Sequence, residues 1–314
     1  MWRTVETTRD DRRALAAVGV TVLLWASAFV SIRWVAPYFH PGVLALGRLF
    51  VGSVVLGGIL VVRREGLPSR AAWPGIIASG VLWFGVYMVA LNWGEHEVDA
   101  GTAAMLIKIG PLLIAVLGGV VLREGFPPRL VAGMAVSFVG VVVVGLSMSD
   151  GGRASIVGVL LCLLAAVVYS LGVVSQKPAL RHGSALQVTT FGCVIGMVTC
   201  LPFAGQLMSQ VAVAPRSAIL NMAYLGVFPT ALAFTTWAYA LARTTAGKMG
   251  ATTYVVPALV VLMSWSLLGE VPALPAFVGG LLCLAGVFVS RGRRPVPRPA
   301  EPVDRPKAVG GRAL

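Results

Sequence analysis

The sequence predicts an all-α polytopic membrane protein with ten transmembrane helices arranged as two inverted five-helix repeats. Three observations predict it. Hydrophobic residues fill 57% of the 314 positions and charged residues 12%, about half the charge of a soluble domain. The apolar residues fall in runs of about twenty, the length that crosses a bilayer. The second half of the chain also repeats the first at a constant interval. A soluble fold of this size cannot hide so much apolar surface in one core, which sets aside the aqueous-enzyme classes.

Ten runs can be read, at roughly 14–36, 41–62, 72–94, 99–122, 128–148, 154–177, 184–205, 217–241, 247–268 and 273–290. In the first, Arg12, Arg13 and then Ala26-Ser27-Ala28 imitate a cleavable signal peptide. The apolar character continues through Val30, Ile32, Trp34 and Val35, so a retained helix is expected. The connections are short and rich in Gly, Pro and charge. The four cysteines, Cys162, Cys193, Cys200 and Cys283, all lie inside apolar runs with no CxxC pairing and read as small core residues.

The net charge of +13 would suit nucleic acid if it were gathered into a patch. It is dispersed between the apolar runs and in the tail, the pattern of cytoplasmic loops. Placing the N-terminus in the cytoplasm puts 20 cations on inner segments and 3 (Arg33, Arg153 and Arg216) on outer ones. Both termini are therefore expected inside. Arginine outnumbers lysine 21 to 4 in an Ala-, Val- and Gly-rich chain, which points to a bacterial inner membrane. Residues 1–13 form a cytoplasmic N-terminus, 14–148 the first five-helix repeat and 154–290 the second. Residues 291–314, RGRRPVPRPAEPVDRPK and beyond, read as a disordered basic cytoplasmic tail resting on anionic lipid.

The repeat appears when the chain is slid along itself by 146 residues. Gly80 falls on Gly226, Gly101 on Gly247, Pro111 on Pro257, Glu124 on Glu270, Gly133 on Gly279 and Gly140 on Gly286. At 144, Trp25–Arg33 lies over Tyr169–Lys177, with Ser31 on Ser175 and Arg33 on Lys177. Five helices per copy is an odd number, so the second copy enters the membrane inverted, with Glu124 at the inner face and Glu270 at the outer. Inverted repeats are the architecture of alternating-access carriers.

On these residues the chain resembles the ten-helix drug/metabolite transporters and, within them, the EamA-type permeases, over about residues 14–290. The resemblance rests on Trp25-Ala26-Ser27-Ala28-Phe29, on Arg48, and on the Pro-then-Glu helices ending Leu122-Arg123-Glu124 and Leu268-Gly269-Glu270. It implies efflux of small metabolites, often amino acids, through a central cavity lined mainly by helices 1, 3, 4, 6, 8 and 9. It makes Arg48 a structural clamp on backbone carbonyls or on a carboxylate at the rim, with substrate contact as the alternative. The chain departs from the family at Lys108, usually apolar or small, and at Arg123, where Gly commonly precedes the Glu.

Lys108 is the sharpest single signal. It lies roughly 13 Å into helix 4 at 1.5 Å per residue, near mid-bilayer, where an ionisable group marks function by default. Around it, Tyr87, Asn92, Tyr169, Ser170, Thr235, Trp237, Tyr239, Thr253 and Tyr254, with Trp25 as an apolar wall, are expected to form an amphipathic pocket. Pro111 and Pro257 interrupt helices 4 and 9 and read as hinges or cavity lining. Glu124 and Glu270 close those helices as structural residues. The HExxH, P-loop and GxSxG patterns are lacking, so the chain is expected to be no enzyme and to need no cofactor or metal. The expected partners are a small-molecule substrate and the bilayer, not nucleic acid, with a monomer as the default and a dimer as the alternative. The reading is an exporter of amino acids or related carboxylates. Its alternatives are drug efflux, phosphorylated-metabolite exchange, or a non-transporting sensor or assembly subunit.

Overall fold

The structure, a computed structural model, describes residues 9–97, 106–148, 155–268 and 274–290. The basic tail, Asp99 and Glu270 lie outside the described residues. Within them every regular element is helical. The first half comprises α1 (Arg9–Val35), α2 (Pro41–Val62), α3 (Trp73–Ser79), α4 (Tyr87–Glu97), α5 (Gly110–Val120) and α6 (Pro128–Met148). The second comprises α7 (Ile156–Ala179), α8 (Ala185–Thr199), α9 (Ala204–Val213), α10 (Arg216–Leu225), α11 (Ala233–Leu241), α12 (Ala246–Thr252), α13 (Val255–Leu268) and α14 (Leu274–Ser290).

The starts of these helices follow from local chemistry. His40 caps α2, its Nδ1 accepting from Gly42 N at 3.3 Å, with Pro41 in the first turn where its missing N–H costs nothing. Ser184 and Gln187 form a reciprocal capping box at α8. Thr245 accepts from Lys248 N to start α12. α1 runs unbroken through Ala26-Ser27-Ala28.

Among the described residues, five stretches are long and apolar enough to cross a membrane: Arg12–Ile32, Pro41–Val62, Arg70–Gly94, Ile156–Ala179 and Arg216–Leu241. A sixth joins α8 to α9 across a 53° bend, and Gly110–Val120, Pro128–Val143 and Phe277–Ser290 are shorter apolar helices. The bundle wears its apolar residues outside. Leu160, Leu164, Val167 and Leu171, at helical spacing on α7, are all exposed. A stripe of that kind is a liability in water and a requirement in lipid.

Three structural features recur at the sequence interval. α3 and α4 are joined by a π-helical segment, Gly80–Val86, and α10 and α11 by another, Gly226–Leu232. Ser137 Oγ donates to Cys283 O at 3.1 Å while Cys283 Sγ donates to Ser137 O at 3.6 Å, two residues 146 apart exchanging bonds. α6 and α14 meet at bare backbone, where a Cβ on Gly133 would lie 2.5 Å from Gly286 O and one on Gly140 2.6 Å from Gly279 O. Small residues admit this close approach.

The prolines act differently from a kink within a helix. The chain turns at Lys108–Ile109 and at Thr253–Tyr254. Pro111 and Pro257 then stand in the first turns of α5 and α13. There the ring replaces an N–H that has no helical partner anyway. The break precedes the proline, and the carbonyls it frees are those of the turn.

Candidate functional site

Those carbonyls are satisfied by side chains from the other half of the molecule. Tyr254 Oη donates to Lys108 O at 3.1 Å, and Lys108 Nζ donates to Thr253 O at 3.4 Å. Ser170 Oγ donates to Gly110 O at 2.9 Å. Unpaired backbone groups at membrane depth must either find partners or line a cavity. Here they do both.

The cavity is narrow, with room for the centres of water-sized spheres over about 80 Å³, within a wider non-atom space of about 710 Å³ that includes open solvent at the mouth. It runs from Trp25, midway along α1, toward the side of the molecule opposite the start of α1. Lys108 and Arg48 are the charged groups on its described lining, which carries no Asp or Glu. Trp25, Trp83, Tyr87, Tyr169 and Phe234 supply aromatic walls, with ring centroids 4.8 Å apart for Trp83–Phe234 and 5.5 Å for Tyr87–Tyr169. Such rings offer a large apolar surface with fixed geometry.

Of the residues expected in the pocket, Lys108, Tyr87, Asn92, Tyr169, Thr253 and Trp25 line it. Asn92 is also tied down, its Nδ2 donating to Pro41 O at 3.0 Å. The others are placed elsewhere. Ser170 and Tyr254 are spent on the broken-helix carbonyls, and Thr235 donates to Ala231 O within its own helix. Tyr239 lies beneath the Arg243 guanidinium, 3.6 Å from ring centroid to Cζ, a cation–π contact. Trp237 stacks behind Trp25 at 5.0 Å, fully buried and off the lining. The apolar liners Ala28, Phe29, Ile32, Met88, Leu91, Ile107 and Val256 carry no sequence signal that separates them from core. Arg48 lines the cavity and also bonds a side chain of the second half. Its Nε donates to Thr230 Oγ1 at 3.1 Å, which ties α2 to the second π segment.

Away from the cavity mouth, a polar knot crosses between the helices of the two halves. Glu124, just beyond α5, pairs with Lys177 near the end of α7, Oε1 to Nζ 3.2 Å, at angles short of a hydrogen bond. Glu124 Oε2 accepts from Ala246 N at 2.7 Å. Lys177 Nζ donates to Leu241 O at 3.1 Å and also to Thr244 O. One ion pair thus ties together α5, α7 and the α11–α12 connection. Gly118 leaves room for it, since a Cβ there would come within 3.1 Å of Glu124 Oε2.

A helical bundle with an apolar exterior and a charged, aromatic cavity has the form of a membrane transporter. The chain belongs to the EamA-like transporter family, whose model matches residues 13–146 and again 156–292. It is 36% identical over 285 residues to a probable terminal-alkyne amino-acid exporter of Streptantibioticus cattleyicolor, covering 90% of this chain and 94% of that one. It is 34% identical to the uncharacterized transporter YdfC of Bacillus subtilis, with 84% and 86% covered. A probable amino-acid metabolite efflux pump of Salmonella typhimurium is 23% identical, with 86% and 92% covered. A solved crystal structure matches the fold at a TM-score of 0.73 and 20% identity, over 88% of this chain and 96% of the other.

Proposed function

We propose that the protein exports amino acids or related carboxylates with apolar side chains, by alternating access through the cavity around Lys108. The observation that carries this reading is the lining: two cations, aromatic walls and no described carboxylate. A substrate carboxylate gains a charge-assisted hydrogen bond from Lys108 in a low dielectric, while an apolar side chain packs on the tryptophans. A cationic drug would meet like charge at close range. The same reading has ten crossings in two inverted five-helix repeats, with both termini at the cytoplasmic face of a bacterial inner membrane. The two-fold family match and the contacts between residues 146 apart support it.

The likeness to a probable terminal-alkyne amino-acid exporter suggests a probe. Counterflow of a labelled terminal-alkyne amino acid, beside a pool of common amino acids, is measured in proteoliposomes for the wild type and Lys108→Ala. Loss of a charged hydrogen bond costs roughly 1.5–3 kcal/mol, so flux at sub-saturating substrate should fall about ten-fold or more. Unchanged flux would remove Lys108 from the site. Competition by a sugar phosphate but by no amino acid would move the assignment to phosphorylated metabolites.

A further inference from the structure

Two fully buried polar side chains have no hydrogen-bond partner among the described residues. Gln176 on α7 leaves both Nε2 and Oε1 unbonded, and Trp237 on α11 leaves Nε1 unbonded. Each is close in sequence to a residue of the Glu124–Lys177 knot. Gln176 precedes Lys177, and Trp237 sits one helical turn before Leu241, whose carbonyl holds the Lys177 ammonium. Buried amides are expensive to leave unpaired, so their place calls for a reason.

The sequence interval supplies one. Three pairs of repeat mates line the open cavity from both copies: Trp25 with Tyr169 at 144, Met88 with Phe234 and Ile107 with Thr253 at 146. A region lined by both members of such pairs sits on the pseudo-two-fold axis. Ile32 and Leu91 extend the cavity from the axis toward its mouth. Their mates are Gln176 and Trp237. The register holds in contacts as well as in letters. Ser31 Oγ donates to Asn221 Oδ1, and the mates, Ser175 and Gly75, meet in turn, a Cβ on Gly75 lying 2.5 Å from Ser175 O.

We propose that Gln176 and Trp237 line the closed half of the transport path, where they receive the polar head of the substrate once the Glu124–Lys177 pair parts. This inference rests on the alternating-access reading above. Where the open vestibule offers apolar Ile32 and Leu91 beside Arg48 and Asn92, the closed one offers an amide and an indole N–H at the mated positions. A carboxylate leaving Lys108 toward the closed side therefore finds donors at positions that are apolar on the open side. Groups without partners in this state are the donors and acceptors of the other.

The test uses single cysteines at Gln176 and at Ile32, with the four buried native cysteines as an unreactive background. Modification by a water-soluble methanethiosulfonate is timed in detergent, with Glu124 intact and with Glu124→Gln. The expected result is that Gln176→Cys reacts at least ten-fold faster once Glu124 is neutralised, while Ile32→Cys reacts more slowly. If Ile32→Cys slows but Gln176→Cys stays inert, Gln176 is off the path and this proposal falls while alternation stands. If Glu124→Gln moves neither rate, alternation across this ion pair falls and the proposal with it. A second variant guards against misfolding. Gln176→Leu should raise the unfolding temperature, because it removes an unpaired buried amide, and yet lower counterflow of the terminal-alkyne amino acid at least five-fold. A rise in temperature with unchanged flux would overturn the assignment.

Discussion

Lys108 was legible in the sequence as a charge at membrane depth. Its surroundings were not. Its ammonium and its carbonyl are both engaged with the Thr253–Tyr254 turn, so it pins two broken helices together as well as facing the cavity. Tyr254→Phe should therefore cost about 1 kcal/mol, the net worth of one hydrogen bond, read as a lowered unfolding temperature. Arg123 shows a family departure with a physical consequence. Its φ is 55°, a left-handed conformation that costs a side-chain-bearing residue roughly 1 kcal/mol or more. The Gly common there in the family avoids that cost. Arg123→Gly is predicted to stabilise the protein by roughly 1 kcal/mol in thermal melts, with transport unchanged. A drop in stability would show that the Arg123 side chain makes contacts worth more than the strain.

At the scale of elements, the helices were readable because apolar runs of membrane length and caps such as Ser184–Gln187 are local signals. The breaks before α5 and α13 were only half readable. Pro111 and Pro257 announced an interruption, but the turn falls just before them, because a proline is most easily placed in a helix's first turn. The α6–α14 contact is more demanding. Gly133→Ala would drive a methyl into Gly286 O and Ser290 N, both at 2.5 Å, and backbone cannot yield as a side chain can. A loss of about 1–3 kcal/mol is expected from such overpacking. Gly19→Ala in α1, with nothing within 4 Å of the new methyl, should be neutral or up to about 1 kcal/mol stabilising through helix propensity. Melting the two variants side by side separates packing from propensity.

For the whole molecule, the proposed closure on one side hangs on a small polar knot. Lys177 is held by a carboxylate and two carbonyls, and Glu124 by an ammonium and a backbone N–H. Exchanging the charges, Glu124→Lys with Lys177→Glu, would set an ammonium against an N–H and a carboxylate against carbonyls. The double variant should therefore fail to restore transport, whereas Lys177→Arg, which keeps the donors, should retain part of it. Recovery by the swap would mean that the pair acts through charge alone. Breaking one side of a largely buried pair typically costs roughly 3 kcal/mol. That is enough to move a two-state equilibrium by about two decades.

By itself, the sequence determined what is local or periodic: the membrane class, the apolar helices, the family and the interval of 146 residues. Hydropathy and spacing act along the chain and can be read along it. Only the tertiary structure decided which polar groups meet. It spent Tyr254 and Ser170 on carbonyls rather than on the cavity, joined Glu124 to Lys177, and left Gln176 and Trp237 buried with nothing to bind. A hydrogen bond depends on ångström distances between residues far apart in the chain, and no pattern of residue types carries that information.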